Sequence, residues 1–397
     1  MQHVVRLPAA VAAALSLSCP VLAQESTPAV SLGVTYTGDL WANTTGGLRT
    51  GEKYLDNLDI TATIDAEQAF NIPGGTFFFY GLYNNNTTLS DTLVGDLQVV
   101  SNIDTTTAFR LYEAWYEQTF DDDRGSLKVG LYDLNSEFDA IDTAGLFLNS
   151  SHGIGADFSQ TGQNGPSIFP VTSLAARLQF QLNDSVLVRA AVLDGVPGSL
   201  VHTRRTAIKL GDGDGALMVG EIEADLNGTI AALGAWKYTS DFDHVLDVDR
   251  AGNPIRQGGN QGFYVAAERK FADNPDDPGL SIFGRLGFAE TEVNQFSRYA
   301  GGGVSYQGLL AGRPDDTVGL AVAHVNNGSP FRRAAALAGS QVGKSETNFE
   351  LTYRAPINDW LTVQPDAQWV INPGADPALK NAFVVGLRFE IGFGKDF

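Results

Sequence analysis

The stretch Phe383-Val-Val-Gly-Leu-Arg-Phe-Glu-Ile-Gly-Phe393 alternates without a break. Phe383, Val385, Leu387, Phe389, Ile391 and Phe393 form one series, and Val384, Gly386, Arg388, Glu390 and Gly392 form the other. A period of two puts the two series on opposite faces of a strand. One face is wholly apolar and the other carries charge, so the first faces lipid and the second faces water. Leu58, Ile60, Ala62 and Ile64 against Asp59, Thr61, Thr63 and Asp65 repeat the split, as do Leu174, Ala176, Leu178 and Phe180 against Arg177, Gln179 and Gln181.

Outward from that stretch, strands are predicted to begin near Ser31, Asn57, Thr76, Phe109, Ser126, Ser173, Val186, Ala216, Thr229, Gly262, Leu280, Gly302, Asp316, Thr347, Leu361 and Phe383. About sixteen strands, an even number, are what a bacterial single-chain barrel needs. Tight connections at Asp121–Gly125, Asn183–Ser185 and Asp225–Gly228 use turn-favouring residues. Long polar segments lie between them at Asn84–Ala108, Asp133–Thr172, Asp194–Gly215 and Thr239–Gln261. Strict short-long alternation puts both termini on the short-turn, periplasmic side, and a weak extra strand at Thr206–Leu210 competes with the count. The fold class is thus all-β, a transmembrane antiparallel β-barrel.

Arg6, the apolar run Leu7–Leu17 and the small-residue site Val21-Leu22-Ala23 read as a signal peptide over residues 1–23, leaving 24–397 as one barrel with no internal linker. Ser16 stands where a lipoprotein reading of Cys19 needs an aliphatic residue. Cleavage removes the single cysteine, and with it disulfide and thiol chemistry. It also removes one of the 26 basic residues, Arg6, and none of the 46 acidic ones, taking the formal charge from -20 to -21. That balance argues against nucleic acid, which needs clustered Lys and Arg. No later run reaches the roughly eighteen apolar residues of a membrane helix.

Catalytic signatures are missing, so the chain reads as no enzyme and needs no cofactor. His152, His202, His244 and His324 are scattered without metal-ligand spacing. Asp247-Val-Asp-Arg-Ala-Gly252 opens like a calcium loop, but Gly258 stands at the twelfth position where a bidentate Glu belongs.

The inward faces carry more. Charge on a lipid face costs roughly 2 to 4 kcal/mol at midplane for a basic residue, so charges should point into the lumen. Glu113, Trp115 and Glu117 share a face opposite Tyr112, Ala114 and Tyr116; Glu221 and Glu223 share another; Arg177, Arg189, Arg285, Arg354 and Arg388 fall on polar faces. A sugar offers hydroxyls and apolar ring faces, which carboxylates, guanidinium groups and an aromatic platform suit. Trp115 between Glu113 and Glu117 fits, although any mixed-charge lumen would look the same. Tyr112, Tyr116, Trp236, Tyr238, Trp360 and Phe393 read as interface girdle. The Asp133–Thr172 loop, about forty residues, exceeds what ordered loops reach without a function. It either folds inward as a constriction or stays on the surface.

Gly130-Leu-Tyr-Asp-Leu-Asn-Ser-Glu-Phe-Asp139, Gly145-Leu-Phe-Leu-Asn-Ser-Ser151 and Gly165-Pro-Ser-Ile-Phe-Pro170 resemble the carbohydrate-selective porin (OprB-type) family. Arg313–Ala321, Glu346–Tyr353, Gln364–Trp369 and Asn372–Gly374 agree in order. The resemblance implies a sixteen-stranded outer-membrane channel passing monosaccharides or small oligosaccharides by facilitated diffusion. It places Glu137, Asp139 and Asn149 in the long loop. The expected fold turns that loop, Asp133–Thr172, inward as the constriction, with Glu113, Trp115, Glu117, Arg177 and Arg189 from the polar strand faces on the opposing wall. After Phe393 the chain continues as Gly394-Lys-Asp-Phe397, which leaves two aromatics to close the last strand. The lipid faces permit a homotrimer. A general or cation-preferring porin, and a barrel that only anchors an enzyme or adhesin, are the competing readings.

Overall fold

A computed structural model describes residues 28–272 and 277–397; the signal peptide predicted over residues 1–23 lies outside the described residues. Its strands are β1 (Val30–Gly47), β2 (Gly51–Asp65), β3 (Gly75–Thr87), β4 (Thr106–Phe120), β5 (Gly125–Tyr132), β6 (Ser173–Asn183), β7 (Val186–Asp194), β8 (Ala216–Asp225) and β9 (Thr229–Tyr238). They continue with β10 (Asp241–Val248), β11 (Pro254–Gly258), β12 (Gln261–Phe271), β13 (Leu280–Ala289), β14 (Phe296–Gln307), β15 (Thr317–Asn327), β16 (Ser345–Asn358), β17 (Leu361–Ile371) and β18 (Lys380–Asp396). Every strand except β10 and β11 joins one closed barrel in which neighbours are antiparallel and β18 pairs with β1. All sixteen predicted strands are present. The segment Thr206–Leu210 is not a strand; instead β10 and β11 form a hairpin inside the β9–β12 loop, with the calcium-like run at its tip, where Asp249 Oδ1 accepts from the Ala251 and Asn253 N–H groups.

Closure at the last strand is complete. Ser31 pairs with Asp396, and the Phe397 carbonyl accepts from the Ala29 N–H at 3.0 Å, so Phe397 rather than Phe393 ends the ladder. Pro28 and Phe397 lie on the side of the turns at 66–74, 121–124, 184–185, 226–228, 308–316 and 359–360. Short-long alternation is only approximate: 48–50 is short on the loop side, and 66–74 and 308–316 are moderately long on the turn side.

Side chains obey the predicted split. Leu178, Ile222 and Leu320 are exposed on the outer wall, while Arg177, Glu221 and Arg388 are buried inside. Exposed rings mark both ends of the outer face: Tyr54, Tyr83, Phe109, Trp369 and Phe383 near the loops, and Phe120, Phe271, Tyr306, Trp360 and Phe393 near the turns. Such belts seat in the two membrane interfaces. Trp360 and Phe393, read from the sequence as girdle residues, lie there and stack on each other at 6.5 Å. Tyr112, Trp236 and Tyr238 do not: each is at most 3% exposed and points inward. Phe158 of the long loop stacks on Trp236 at 4.9 Å, which explains where that aromatic surface goes. Asp56 breaks the charge rule from the other direction. It lies on the outer face of β2, shielded by Tyr36, whose hydroxyl donates to it at 2.9 Å.

Candidate functional site

The loop from Asp133 to Thr172 begins with a capped turn. Asp133 Oδ1 accepts from the Asn135 N–H at 2.9 Å and Oδ2 from the Tyr112 hydroxyl at 2.6 Å. Tyr112 is available because β4 bulges there: Tyr80 pairs with Glu113 while Gly81 pairs with Leu111. A bulge sets two residues against one and reverses the face of all that follows. Arg110, Tyr112 and Glu113 are therefore all buried on the inside. Glu113 accepts from the Asp133 N–H and from Trp115 Nε1, each at 3.1 Å.

Beyond Asp133 the loop lies against inward-facing wall side chains. Glu137 sits in a cage: Lys128 Nζ is 2.7 Å away, Arg177 Nε and Nη2 are at 2.6 and 2.7 Å, and the Tyr132 hydroxyl is at 2.6 Å. Burial alone would raise its pKa, but the Lys128 and Arg177 charges outweigh it and hold it at about 2. Arg177 Nη2 also donates to Glu117 at 2.7 Å. Arg189 donates to the Glu137 carbonyl and, at 3.0 Å, to Glu223. Asp139 receives Arg285 Nε and Nη2 at 2.7 and 2.6 Å, while Arg285 Nη1 reaches Asp157 at 2.6 Å. Asp139 adopts φ +55°, and its N–H donates to Glu221 at 2.9 Å.

Farther along, the donors are main-chain. Glu268 accepts from the Asp142 and Thr143 N–H groups at 3.0 and 2.8 Å. Glu350 accepts from the N–H groups of Leu148 and Asn149, the latter at 3.0 Å. Asn149 caps the short helix Ser150–Gly153 and donates to Gln368 at 3.3 Å. Glu268 is three residues from the turn end of β12, so the loop descends deep into the lumen. His152 is buried beside Phe147 and Phe283, at 5.1 and 5.9 Å between ring centroids, and burial lowers its pKa to about 3. Although Glu350 is 3.9 Å from Nε2, neither imidazole nitrogen has a hydrogen-bond partner, so the ring is neutral.

A second loop, 88–105, joins the first. Glu346 accepts from the Leu97 and Gln98 N–H groups at 2.8 and 3.1 Å. Arg388 grips Asp39 at 2.7 and 2.8 Å and donates to Asn102 at 2.8 Å. The two loops bond directly, Ser150 N–H to the Val99 carbonyl at 3.0 Å and Asn102 N–H to the Leu148 carbonyl at 2.7 Å.

All eight residues singled out in the sequence thus meet at the loop–wall junction, and most are spent on each other. Trp115 is not an open platform: Phe78 stacks on it at 5.0 Å and Lys128 Nζ lies 4.1 Å from the ring centroid. Arg285, Glu268, Glu346, Glu350, Lys128 and Asp157 also build the site and are not among those eight. The wall members of this second group sit on polar strand faces, which is the signal the sequence offers for them.

A closed, lipid-faced barrel whose charged lumen is crossed by folded-in loops is an outer-membrane porin. The carbohydrate-selective porin, OprB family matches residues 49–393. Porin B of Pseudomonas aeruginosa is 25% identical over 399 residues, covering 90% of this chain and 86% of that protein. The high pH structure of Pseudomonas putida OprB superposes with a TM-score of 0.81 at 21% identity, covering 92% and 94% of the two chains. The outer membrane channel DcaP of Acinetobacter baumannii does so at 0.55 and 10%, covering 92% and 97%, a likeness of fold alone. The chain belongs to the carbohydrate-selective porin, OprB family, and is a bacterial outer-membrane β-barrel channel for carbohydrates.

Proposed function

We propose that residues 1–23 are a cleaved signal peptide, that 24–397 form the mature barrel, and that monosaccharides or small oligosaccharides cross it passively through the space left beside the loop Asp133–Thr172. One observation carries this reading: the loop is bound to inward-facing side chains from Arg177 on β6 to Glu350 on β16, so it spans a lumen that sixteen strands alone would leave wide. Glu113, Trp115, Glu117, Glu137, Asp139, Asn149, Arg177 and Arg189 serve to fix the constriction. Charges that keep access to water are better placed to meet solute, among them Glu223, Arg354 and Glu390, whose side chains are 32%, 30% and 30% exposed. The channel needs no catalytic residue and no cofactor. Association into a homotrimer through the outer face belongs to the same proposal.

Liposome swelling with solutes of graded size tests it. Glucose should enter several-fold faster than amino acids of similar size, and equal entry would reduce the channel to a general porin. The formal charge of -20 favours a second reading, a cation-preferring porin. Single-channel reversal potentials under opposed salt gradients separate the two, since strong cation selectivity with no block by sugar would select the second.

A further inference from the structure

On the extracellular side a cavity of about 450 Å³ opens between β4, the returning limb of the long loop and the β7–β8 loop. Its lining contains Arg110, His202 and Arg205 and, among the described residues, no Asp or Glu. That is against the grain of a chain with 46 acidic and 26 basic residues. Arg110 is the unusual member. It is 3% exposed, inward-facing near the loop end of β4, and one terminal nitrogen donates to the Thr203 carbonyl. Its Nε and Nη1 have no hydrogen-bond partner.

A buried guanidinium without an anion is expensive, because its lost hydration is not replaced. The other inward arginines avoid that cost by pairing: Arg177 with Glu137, Arg285 with Asp139, Arg388 with Asp39. Arg110 is left with the three N–H donors of Nε and Nη1 unpaired in the wall of a cavity. Segment 203–206 holds it there, since the Phe109 N–H donates to the Arg204 carbonyl and the Thr206 hydroxyl to the Leu111 carbonyl above the end of β5. The rest of the cavity suits a sugar. Pro166 and Phe169 offer apolar surface, and Gln160 and Asn164 offer hydrogen bonds.

We propose that this cavity is an entrance subsite for a monosaccharide bearing a carboxylate, with Arg110 as the buried anion ligand and Arg205 and His202 at its rim. The inference rests on the sugar-channel reading and extends it to acidic sugars captured before the constriction.

Isothermal titration calorimetry on the purified protein in detergent, with glucuronate, glucose and acetate, tests the subsite directly. Glucuronate should bind at least tenfold more tightly than glucose or acetate, and R110Q should weaken it at least tenfold. R205Q, at the exposed rim, should weaken it about threefold while the barrel stays heat-modifiable on gels, which covers the case in which R110Q fails to fold. Glucuronate binding no better than acetate, or indifferent to both substitutions, would overturn the inference. Glucose entry into liposomes is read in parallel: entry without glucuronate binding removes the subsite alone, and glucuronate binding without glucose entry removes the sugar-channel reading alone.

Discussion

The long loop is held by two sets of anchors, a charge-paired side and a main-chain-held side, which interleave around the barrel wall. Against β5, β6 and β13 the loop supplies carboxylates, Glu137, Asp139 and Asp157, and the wall supplies cations, Lys128, Arg177 and Arg285. Against β4, β8, β12 and β16 the polarity reverses: the wall supplies Glu113, Glu221, Glu268 and Glu350, and the loop answers with main-chain N–H groups. A paired charge depends on two particular side chains, whereas a carboxylate that receives backbone N–H groups depends on one. The first side is thus the more fragile to substitution and the second the more tolerant of change in loop sequence.

The largest break in that comparison is R285M. It leaves Asp139 and Asp157 buried without their shared cation, and removing one partner of a buried pair costs roughly 3 to 5 kcal/mol. The expected result is a loop released from β13, read as a raised single-channel conductance and a lower unfolding midpoint, with the sixteen-stranded wall intact by circular dichroism. E350Q should do less. Glutamine keeps one acceptor oxygen for the Leu148 and Asn149 N–H groups but turns an NH2 toward the other, a loss of about 1 to 3 kcal/mol. If E350Q proved the more damaging of the two, the charge-paired side would not be the principal anchor.

The wall is legible in the sequence because a period of two with charge confined to one face, sustained over so long a chain, suits a membrane barrel and little else. The loop is legible by its length. The anchor geometry is only partly so, for physical reasons. A bulge leaves no mark in composition, so strict alternation puts Tyr112 on the wrong face of β4 while it puts Glu113 and Glu117 on the right one. Trp236 and Tyr238 alternate with Lys237, and that pattern suggests rings outside; in fact Lys237 is exposed on the outer face near the loop end, where a lysine can reach the interface, while Trp236 lies under Phe158 and Tyr238 packs edge-on against Trp236. Glu268, Glu346 and Glu350 show in the sequence only as members of polar strand faces, and nothing there marks them as anchors, because backbone N–H groups, which every loop has, carry no sequence signature.

A smaller effect separates the two sides by pH. His152, on the main-chain-held side, is buried neutral with its pKa lowered to about 3 from 6.5. A lowered histidine binds its proton more readily when unfolded, so its share of stability is full above about 6.5 and is lost as pH falls toward 3. Glu137, on the charge-paired side, is held at about 2 from 4.5, so its share is full above about 4.5 and is lost as pH falls through about 2. H152F should therefore flatten the stability curve between pH 6.5 and 4.5, by about one proton in the slope of unfolding free energy, and leave Glu137's loss at lower pH in place. Guanidinium unfolding in detergent at a series of pH values measures it, and an unchanged slope would mean that His152 does not take up its proton on unfolding in this range.

The smallest expected effect concerns Trp115, which the sequence offers as a sugar platform. Its ring is occupied by Phe78 and Lys128, and its N–H by Glu113, so it works from the charge-paired side by keeping Lys128 beside Glu137. An ammonium over an indole is worth about 0.5 to 2 kcal/mol, depending on its desolvation. W115F keeps a ring under Lys128 and should change little. W115A should lower the unfolding midpoint and leave the glucose concentration for half-maximal channel block within about twofold, on the order of 0.4 kcal/mol. A tenfold rise in that concentration with stability unchanged would put the ring in contact with solute after all, and would move part of the selectivity from the loop to the wall.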